Sequence, residues 1–278
     1  MPRLKHRGPI AAVVTSRVIS SRIPRLDGIQ LYKTARPTLL ERFNRIVISV
    51  SLSNLPGISD FIREANDRHY LHNLLVYDAE SSNLLPQYMS RSNIRTYRNL
   101  IVHSDVDVPS RILNARSIGA EDHLIADARL VDDELVVIAC SGTTYTLPIS
   151  SITYLSGRTD REVRNFTVES DGSYITWPAA DVDIDLQTIR ELIDPSEKQK
   201  AAHANLIRDQ RFGRAIARCR KAHNLRQSDI PGLSPRQVRR IETHGTSKPT
   251  TLTKLASAHA LDLSTYLNTL AESLSHHQ

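Results

Sequence analysis

The sequence predicts an α+β multidomain protein with three parts: an N-terminal α/β region, a small domain of β-meander plus helix, and a C-terminal all-α bundle. Three observations predict this class. The first third contains a strand-helix-strand pattern, the middle contains short apolar runs between turn residues, and the end has apolar residues at helical spacing. With 278 residues, of which 40% are hydrophobic, the chain can form two or three packed domains. The expected domains are 1–118, 119–195 and 196–278.

Charge divides the chain in nearly the same places. Residues 1–120 carry 17 basic and 9 acidic side chains, residues 121–195 carry 5 and 15, and residues 196–278 carry 14 and 6. The corresponding net charges are +8, −10 and +8, which add up to the overall charge of +6. This asymmetry indicates segments with separate partners, and a basic segment suits nucleic acid.

Several function classes have no signal in the sequence. Neither G-x-x-x-x-G-K-[ST] nor G-x-G-x-x-G occurs, and no apolar run approaches the roughly 18 residues that cross a bilayer. Two cysteines, Cys140 and Cys219, cannot form a disulfide framework and suit a reducing compartment. We therefore expect a cytoplasmic, nucleoid-associated protein without membrane contact.

Catalytic and metal-binding patterns are also missing. His69 and His72 could begin a zinc site, but no third ligand lies nearby in the sequence, so neither a metal nor another cofactor is expected. No nucleophile-base pair or paired carboxylates stand out, so the chain is not expected to be an enzyme. An enzyme in the N-terminal third stays open, because the sequence does not reveal what residues 1–118 do.

The first third gives the weakest pattern. Residues 1–35 suggest a basic arm with a few β-prone residues. It is either a disordered tail or a segment that reaches phosphates or a minor groove, through Arg3, Lys5, His6 and Arg7. A strand at 45–52, an amphipathic helix at 58–70 and a strand at 74–77 predict a β-α-β unit. Residues 80–115 show no clear period.

The middle third predicts a meander of three strands at 124–130, 134–139 and 143–147, with turns at 132–133 and 141–142. A hairpin with strands at 163–168 and 174–177 follows, and then a helix that Asp185 caps. Asp181, Asp183 and Asp185 alternate, so they could hold a divalent cation on one strand face. Alternatively, Asp185 caps the helix and the other two are solvated turn residues.

The run SYITWPAADVDIDL at 173–186, together with the preceding meander, resembles a small bacterial family called domain of unknown function 2442. That family shows an I-x-W-x-x-x-D-x-D-[LI] run before a short helix, and the resemblance covers roughly 120–195. It implies a compact α+β unit, often encoded beside toxin-like proteins and sometimes fused to a helix-turn-helix. It implies no catalytic residues. Trp177 is either an anchor in the core or a ligand platform.

Near the C-terminus, Ser234 and Pro235 have the residue types of an N-cap and a first helical position. On the helix that they start, Val238 and Ile241 point to one side. The opposite side carries Arg236, Arg239, Arg240 and Thr243. Guanidinium groups bind phosphate oxygens or guanine in the major groove, so this face is typical of DNA recognition. The alternative is a solvated basic face of a helical bundle that contacts protein instead of DNA.

Residues 212–270 resemble the lambda-repressor-like (Xre) family, an all-α helix-turn-helix bundle. The resemblance is carried by Phe212-Gly213, Ile216, Arg220, Leu225-x-Gln227, Gly232-Leu233-Ser234, Val238, Ile241-Glu242, Pro249 and Leu255-Ala256. It implies that Gln227 contacts the phosphate backbone, and that Arg220 and Glu242 form an internal ion pair. The residues expected at the DNA are Gln227, Ser234, Pro235, Arg236, Gln237, Arg239, Arg240 and Thr243. The 230–232 stretch is shorter than in the family, so a short second helix is expected.

These patterns predict a sequence-specific DNA-binding transcriptional regulator of bacterial type. It would bind double-stranded DNA, place the helix that starts at Ser234 in the major groove, and act as a homodimer. The alternative is an antitoxin-like protein, whose acidic domain binds a protein partner while the helix-turn-helix represses its own operon.

Overall fold

The computed structural model describes residues 8–79, 84–94, 99–245 and 248–275. It is a mixed α/β chain with a C-terminal helical region. Two compact units meet in the sequence between Asp194 and Pro195. The second unit thus begins one residue before the expected third domain, whereas the expected first and second domains lie in one unit.

A five-stranded parallel sheet opens the N-terminal unit, in the spatial order β2-β1-β3-β4-β5. The strands are β1 (Ile10–Val14), β2 (Ile29–Tyr32), β3 (Ile46–Ser51), β4 (Leu71–Tyr77) and β5 (Leu100–His103). They alternate with α1 (Arg17–Arg22), α2 (Thr38–Arg42), α3 (Ser59–Asp67), α4 (Leu85–Arg91) and α5 (Val108–Ile118). A 3₁₀ segment, Leu52–Ile58, precedes α3.

The predicted β-α-β unit is confirmed as β3, α3 and β4. The prediction of a basic arm over 1–35 is wrong for its described part, which contains β1, α1 and β2. All five residues of β1 are buried. A strand covered on both faces has a continuous apolar sequence without alternation, so its pattern resembles any short apolar run. Arg3, Lys5, His6 and Arg7 lie outside the described residues.

The predicted meander is confirmed as an antiparallel sheet of β6 (Ile125–Val131), β7 (Glu134–Ala139) and β8 (Thr144–Pro148). After it come α6 (Asp160–Arg164), β9 (Thr167–Val168), β10 (Ile175–Trp177), β11 (Val182–Ile184) and α7 (Leu186–Ile193). The predicted strand at 163–168 is mostly wrong, because a capping box between Thr159 and Glu162 starts α6 there. The predicted cap of α7 is confirmed, since Asp185 Oδ1 accepts a hydrogen bond from Thr188 N at 2.8 Å.

A buried arginine on α5 joins the parallel sheet to two later strands, β6 of the meander and β9. Arg111 is 3% exposed and donates to Asp105 Oδ2 at 2.7 Å. It also donates, at 2.9–3.0 Å, to the carbonyl oxygens of Ala126, Val168 and Glu169. Apolar residues of α5 and of the meander also share one cluster in the core. The basic first segment and the acidic middle segment therefore share the hydrogen bonds of Arg111 and one apolar cluster.

The C-terminal unit is helical. It contains α8 (Pro195–Ala222), a 3₁₀ turn (Gln227–Asp229), α9 (Pro235–His244), α10 (Pro249–Ala258) and α11 (Leu263–Ser275). The expected linker helix and the following amphipathic helix are one continuous helix, α8. The second helix is reduced to the 3₁₀ turn. Within the described ranges, no helix has the length and apolar character that crossing a membrane requires.

Candidate nucleic-acid interface

The helix α9 begins with a reciprocal cap. Ser234 Oγ accepts a hydrogen bond from Gln237 N at 3.3 Å, and Gln237 Oε1 accepts one from Ser234 N at 2.8 Å. Pro235 occupies the first turn, where its missing N–H costs nothing. The predicted helix start is confirmed, and the side chains of Ser234 and Gln237 are engaged with each other.

A buried ion pair holds α9 against α8. Arg220 Nε donates to Glu242 Oε1 at 2.5 Å and Nη2 donates to Oε2 at 3.1 Å, and both side chains are 8% exposed. The hydrogen bond to the Glu242 carboxylate raises the pKa of Arg220, so its guanidinium group stays charged. This is the internal pair that the family resemblance implies. Its burial makes the orientation of α9 depend on Arg220.

Gln227 lies beside this pair. Its Nε2 donates to Glu242 Oε2 at 2.7 Å, and its side chain is half-buried. The family resemblance implies a phosphate contact for Gln227. In this structure its amide nitrogen supports the carboxylate that orients α9.

Two glycines allow the backbones of α8 and α9 to approach closely. A Cβ on Gly213 would lie 2.5 Å from the carbonyl oxygen of Glu242. Gly245 ends α9 in the left-handed region with φ of +73°, and a Cβ there would overlap the carbonyl oxygen of Asp209. Neither position accepts a side chain without a backbone shift, so both fix where α9 lies.

The solvent face of α9 is cationic. Val238 and Ile241 are buried, whereas Arg236, Arg239, Arg240 and Thr243 are exposed together with Pro235. Thr243 Oγ1 donates to the carbonyl oxygen of Arg239 at 2.9 Å. In the part of the chain that the structure describes, no carboxylate pairs with the three guanidinium groups. These groups are available to an anionic ligand, on a helix that is fixed from behind.

The N-terminal unit contains a cleft of about 510 Å³ beside the carboxyl ends of β4 and β5. Its polar lining includes Asp78, His103, Ser104, Asp127 and Arg129. Open parallel sheets bind ligands at this edge. The cleft could not be predicted, because its lining residues come from separate strands and no single motif contains them.

His103 is the most constrained side chain of this cleft. It is 3% exposed, its Nδ1 lies 2.7 Å from the carbonyl oxygen of Asp105, and its Nε2 is buried without a hydrogen-bond partner among the described residues. Burial lowers the pKa of His103 to about 4 and raises the pKa of Asp127. His103 is therefore a neutral ring at physiological pH.

One group of possible metal ligands occurs among the described residues. It consists of Cys219, His223 and His259, whose ligand atoms lie within 4.8 Å of one another. His69 and His72 belong to no such group in the described ranges. Only the spacing of Cys219 and His223, which lie four residues apart at the end of a helix, is a signal of this group in the sequence.

The remaining candidate residues from the sequence are buried in the core, lie in a turn or a strand, or cap a helix. Trp177 is completely buried and its Nε1 donates to the carbonyl oxygen of Val163 at 2.9 Å, so it is a core anchor. Asp181 lies in a turn with φ of 54°, Asp183 lies in β11 and Asp185 caps α7. Cys140 is buried, and burial raises its pKa to about 12.

Comparison with known proteins finds one family. The family described as "Protein of unknown function (DUF2442)" matches residues 125–195, from the start of β6 to the start of α8. This match supports the resemblance of the middle segment to that family. No helix-turn-helix family match was found for the chain. No curated protein and no solved structure matches the chain.

Proposed function

We propose that this protein is a sequence-specific, DNA-binding transcriptional regulator of bacterial type that inserts α9 into the major groove of double-stranded DNA. The observation that carries the proposal is the exposed face of α9, where Arg236, Arg239 and Arg240 have no ion-pair partner among the described residues. Arginine donates two hydrogen bonds to guanine in the major groove or binds phosphate oxygens of the backbone. This face can therefore bind both the bases and the backbone of DNA.

The scaffold behind α9 supports the same proposal. Discriminating between bases requires a recognition helix that does not shift, because a hydrogen bond weakens steeply with distance and angle. The Arg220–Glu242 pair and the close contact at Gly213 supply that rigidity. The net charge of +8 over residues 196–278 adds attraction that does not depend on sequence.

The test is DNA binding by the full chain, measured by fluorescence anisotropy on a fragment of its own promoter and on a scrambled fragment. We expect Arg236→Ala and Arg240→Ala each to weaken specific binding by roughly 5- to 150-fold, the equivalent of about 1–3 kcal/mol for a lost base contact. Arg161→Ala is the matched control, because Arg161 is exposed on α6 in the other unit. If both α9 variants bind like the parent at physiological salt, α9 is not the recognition helix.

We also propose that the regulator acts as a homodimer, since single helix-turn-helix modules bind paired half-sites about 34–36 Å apart. Light scattering with and without promoter DNA measures this. A complex with one chain per DNA site would overturn the dimer and leave the role of α9 intact.

A second candidate function is antitoxin-like binding of a basic protein. Its support is the group of exposed carboxylates at the turn between β6 and β7, at Asp132, Asp133 and Glu134. Purification of the chain from its native host should then recover a small basic partner. Substituting these three acids by their amides should release it, and recovery of the chain alone would count against this function.

A further inference from the structure

The most constrained unassigned site lies in the C-terminal unit. Cys219 is in the last turn of α8, His223 follows that helix, and His259 follows α10. Their ligand atoms lie within 4.8 Å of one another. The two imidazole rings are T-shaped with centroids 4.9 Å apart. One thiol and two imidazoles thus lie close together where α8 and α10 end.

The hydrogen bonds of the two histidines prepare them as metal ligands. His223 Nδ1 lies 2.9 Å from the carbonyl oxygen of Cys219, and His259 Nδ1 lies 2.6 Å from that of Leu255. An Nδ1–H bonded to a carbonyl oxygen puts the ring proton on Nδ1 and leaves the lone pair on Nε2. This is the arrangement that usually supports a histidine bound to a metal.

An independent observation points to a ligand at this cluster. His259 is 5% exposed, and its Nε2 is buried without a hydrogen-bond partner among the described residues. The hydroxyl of Tyr266, whose ring centroid lies 5.0 Å from that of His259, is also buried with no hydrogen-bond partner in the described ranges. A buried polar atom without a partner costs about 1–3 kcal/mol, so native structures rarely retain one unless something binds there.

We propose that Cys219, His223 and His259 bind one divalent transition-metal ion of the zinc class. A thiolate with two imidazoles is a ligand set typical of zinc and cobalt, and soft enough to exclude magnesium and calcium. Bond lengths of about 2.3 Å to sulfur and about 2.0–2.1 Å to nitrogen require the ligand atoms to close by roughly 1 Å. Binding would release the thiol proton to solvent, and a water molecule would complete the usual four-coordinate geometry.

The site would stabilise the bundle that positions α9. Cys219 precedes Arg220 in the chain, so the ion would fix the helix end from which Arg220 reaches Glu242. The metal site does not depend on the proposed function. Metal binding and DNA binding have separate measurements, so either can fail alone.

The test uses the full chain without an affinity tag, titrated with Co²⁺. We expect one Co²⁺ per chain to give a thiolate-to-cobalt charge-transfer band in the near ultraviolet, which Zn²⁺ then abolishes by displacement. The band reports cysteine ligands alone, so surface histidines do not contribute to it. Cys219→Ser should remove the band, whereas Cys140→Ser, which changes the other buried cysteine, should keep it.

Variants of the exposed histidine separate ligation from folding. His223→Gln should weaken Co²⁺ binding at least tenfold with an unchanged far-ultraviolet circular dichroism spectrum. His203→Gln, an exposed position on the same α8, should bind Co²⁺ like the parent. Saturating Zn²⁺ should raise the thermal midpoint of the parent and of His203→Gln, but not of His223→Gln.

Absence of the band in the parent would overturn the site, as would its survival in Cys219→Ser or unchanged affinity in His223→Gln. Anisotropy on promoter DNA then separates the two proposals. A metal-binding chain that does not bind DNA retains this site and loses the proposed function.

Discussion

Each compact unit has a buried arginine that is hydrogen-bonded to a carboxylate and to backbone carbonyl oxygen, but the two units present different surfaces to solvent. Arg111 in the N-terminal unit is satisfied by Asp105 and three backbone carbonyl oxygens, and Arg220 in the C-terminal unit by Glu242 and the carbonyl oxygen of Leu225. Beyond these cores, one unit forms a concave cleft and the other an exposed cationic helix face. The role of an arginine therefore follows from its burial and partners, and the residue type alone does not reveal it.

The largest expected effect tests the buried arginine of the C-terminal unit. Arg220→Ala leaves the 8% exposed Glu242 carboxylate without its cation, and breaking a buried pair this way costs about 3–5 kcal/mol. Hydrogen exchange followed by mass spectrometry should show lost protection in peptides of α8 and α9. Peptides of the parallel sheet should keep theirs. Arg239→Ala, on the exposed face, is the control and should change neither. Full protection in Arg220→Ala would mean that the pair does not hold α9.

The corresponding change in the N-terminal unit is Arg111→Met. It keeps much of the side-chain volume but removes the donors to three carbonyl oxygens and to Asp105, which should cost about 3 kcal/mol. Exchange should then increase in both β5 and β9, because Arg111 contacts the segments near each. Arg17→Met, on the exposed side of α1, is the matched control. An increase confined to one of the two strands would show that Arg111 does not join the sheets.

The next expected effect is a pH dependence of the free energy of unfolding, which arises from His103 in the cleft. Burial lowers the pKa of His103 to about 4 in the folded state, so below its usual pKa of 6.5 only the unfolded chain gains the proton. The free energy of unfolding should fall by about 2 kcal/mol between pH 7 and pH 5. Urea unfolding, followed by probes of the N-terminal unit, measures it. His103→Gln should remove this part of the pH dependence, and identical profiles for parent and variant would contradict the cause.

The smallest expected effect tests the start of α9. Ser234→Ala removes the acceptor for Gln237 N and should cost about 1 kcal/mol. Local exchange at the first turn of α9 should rise while the three arginines remain. Ser257→Ala, inside α10, should change little. Equal exchange in the parent and Ser234→Ala would show that α9 does not need its cap.

The C-terminal unit was more predictable from the sequence than the N-terminal one. Apolar residues at helical spacing and the Ser234–Pro235 start are local signals, so the bounds of α9 could be predicted. The meander could also be predicted, because turn residues at 132–133 and 141–142 separate its short apolar runs. The strand β1 and the helix α5 could not be predicted, since β1 is buried on both faces and α5 carries the buried Arg111 among its apolar residues.

The candidate sites also differ in how far the sequence predicts them. The cationic face needs only one helix, and its residues follow from one periodicity. The cleft combines two strand ends with β6, and the cluster of Cys219, His223 and His259 combines two helix ends. Such sites depend on tertiary structure, so a single sequence contains at most a part of each, such as the spacing of Cys219 and His223.

The reciprocal cap at Ser234 and Gln237 also limits which bases the proposed regulator can distinguish. Glutamine is a side chain that pairs with adenine through both its amide oxygen and nitrogen, and the amide oxygen of Gln237 is already used within the protein. Base discrimination then rests on arginine, whose preferred partner is guanine. We expect the information content of its operator to be concentrated in a few guanines, with adenine and thymine interchangeable elsewhere in the half-site. Selection from random DNA would measure that distribution directly.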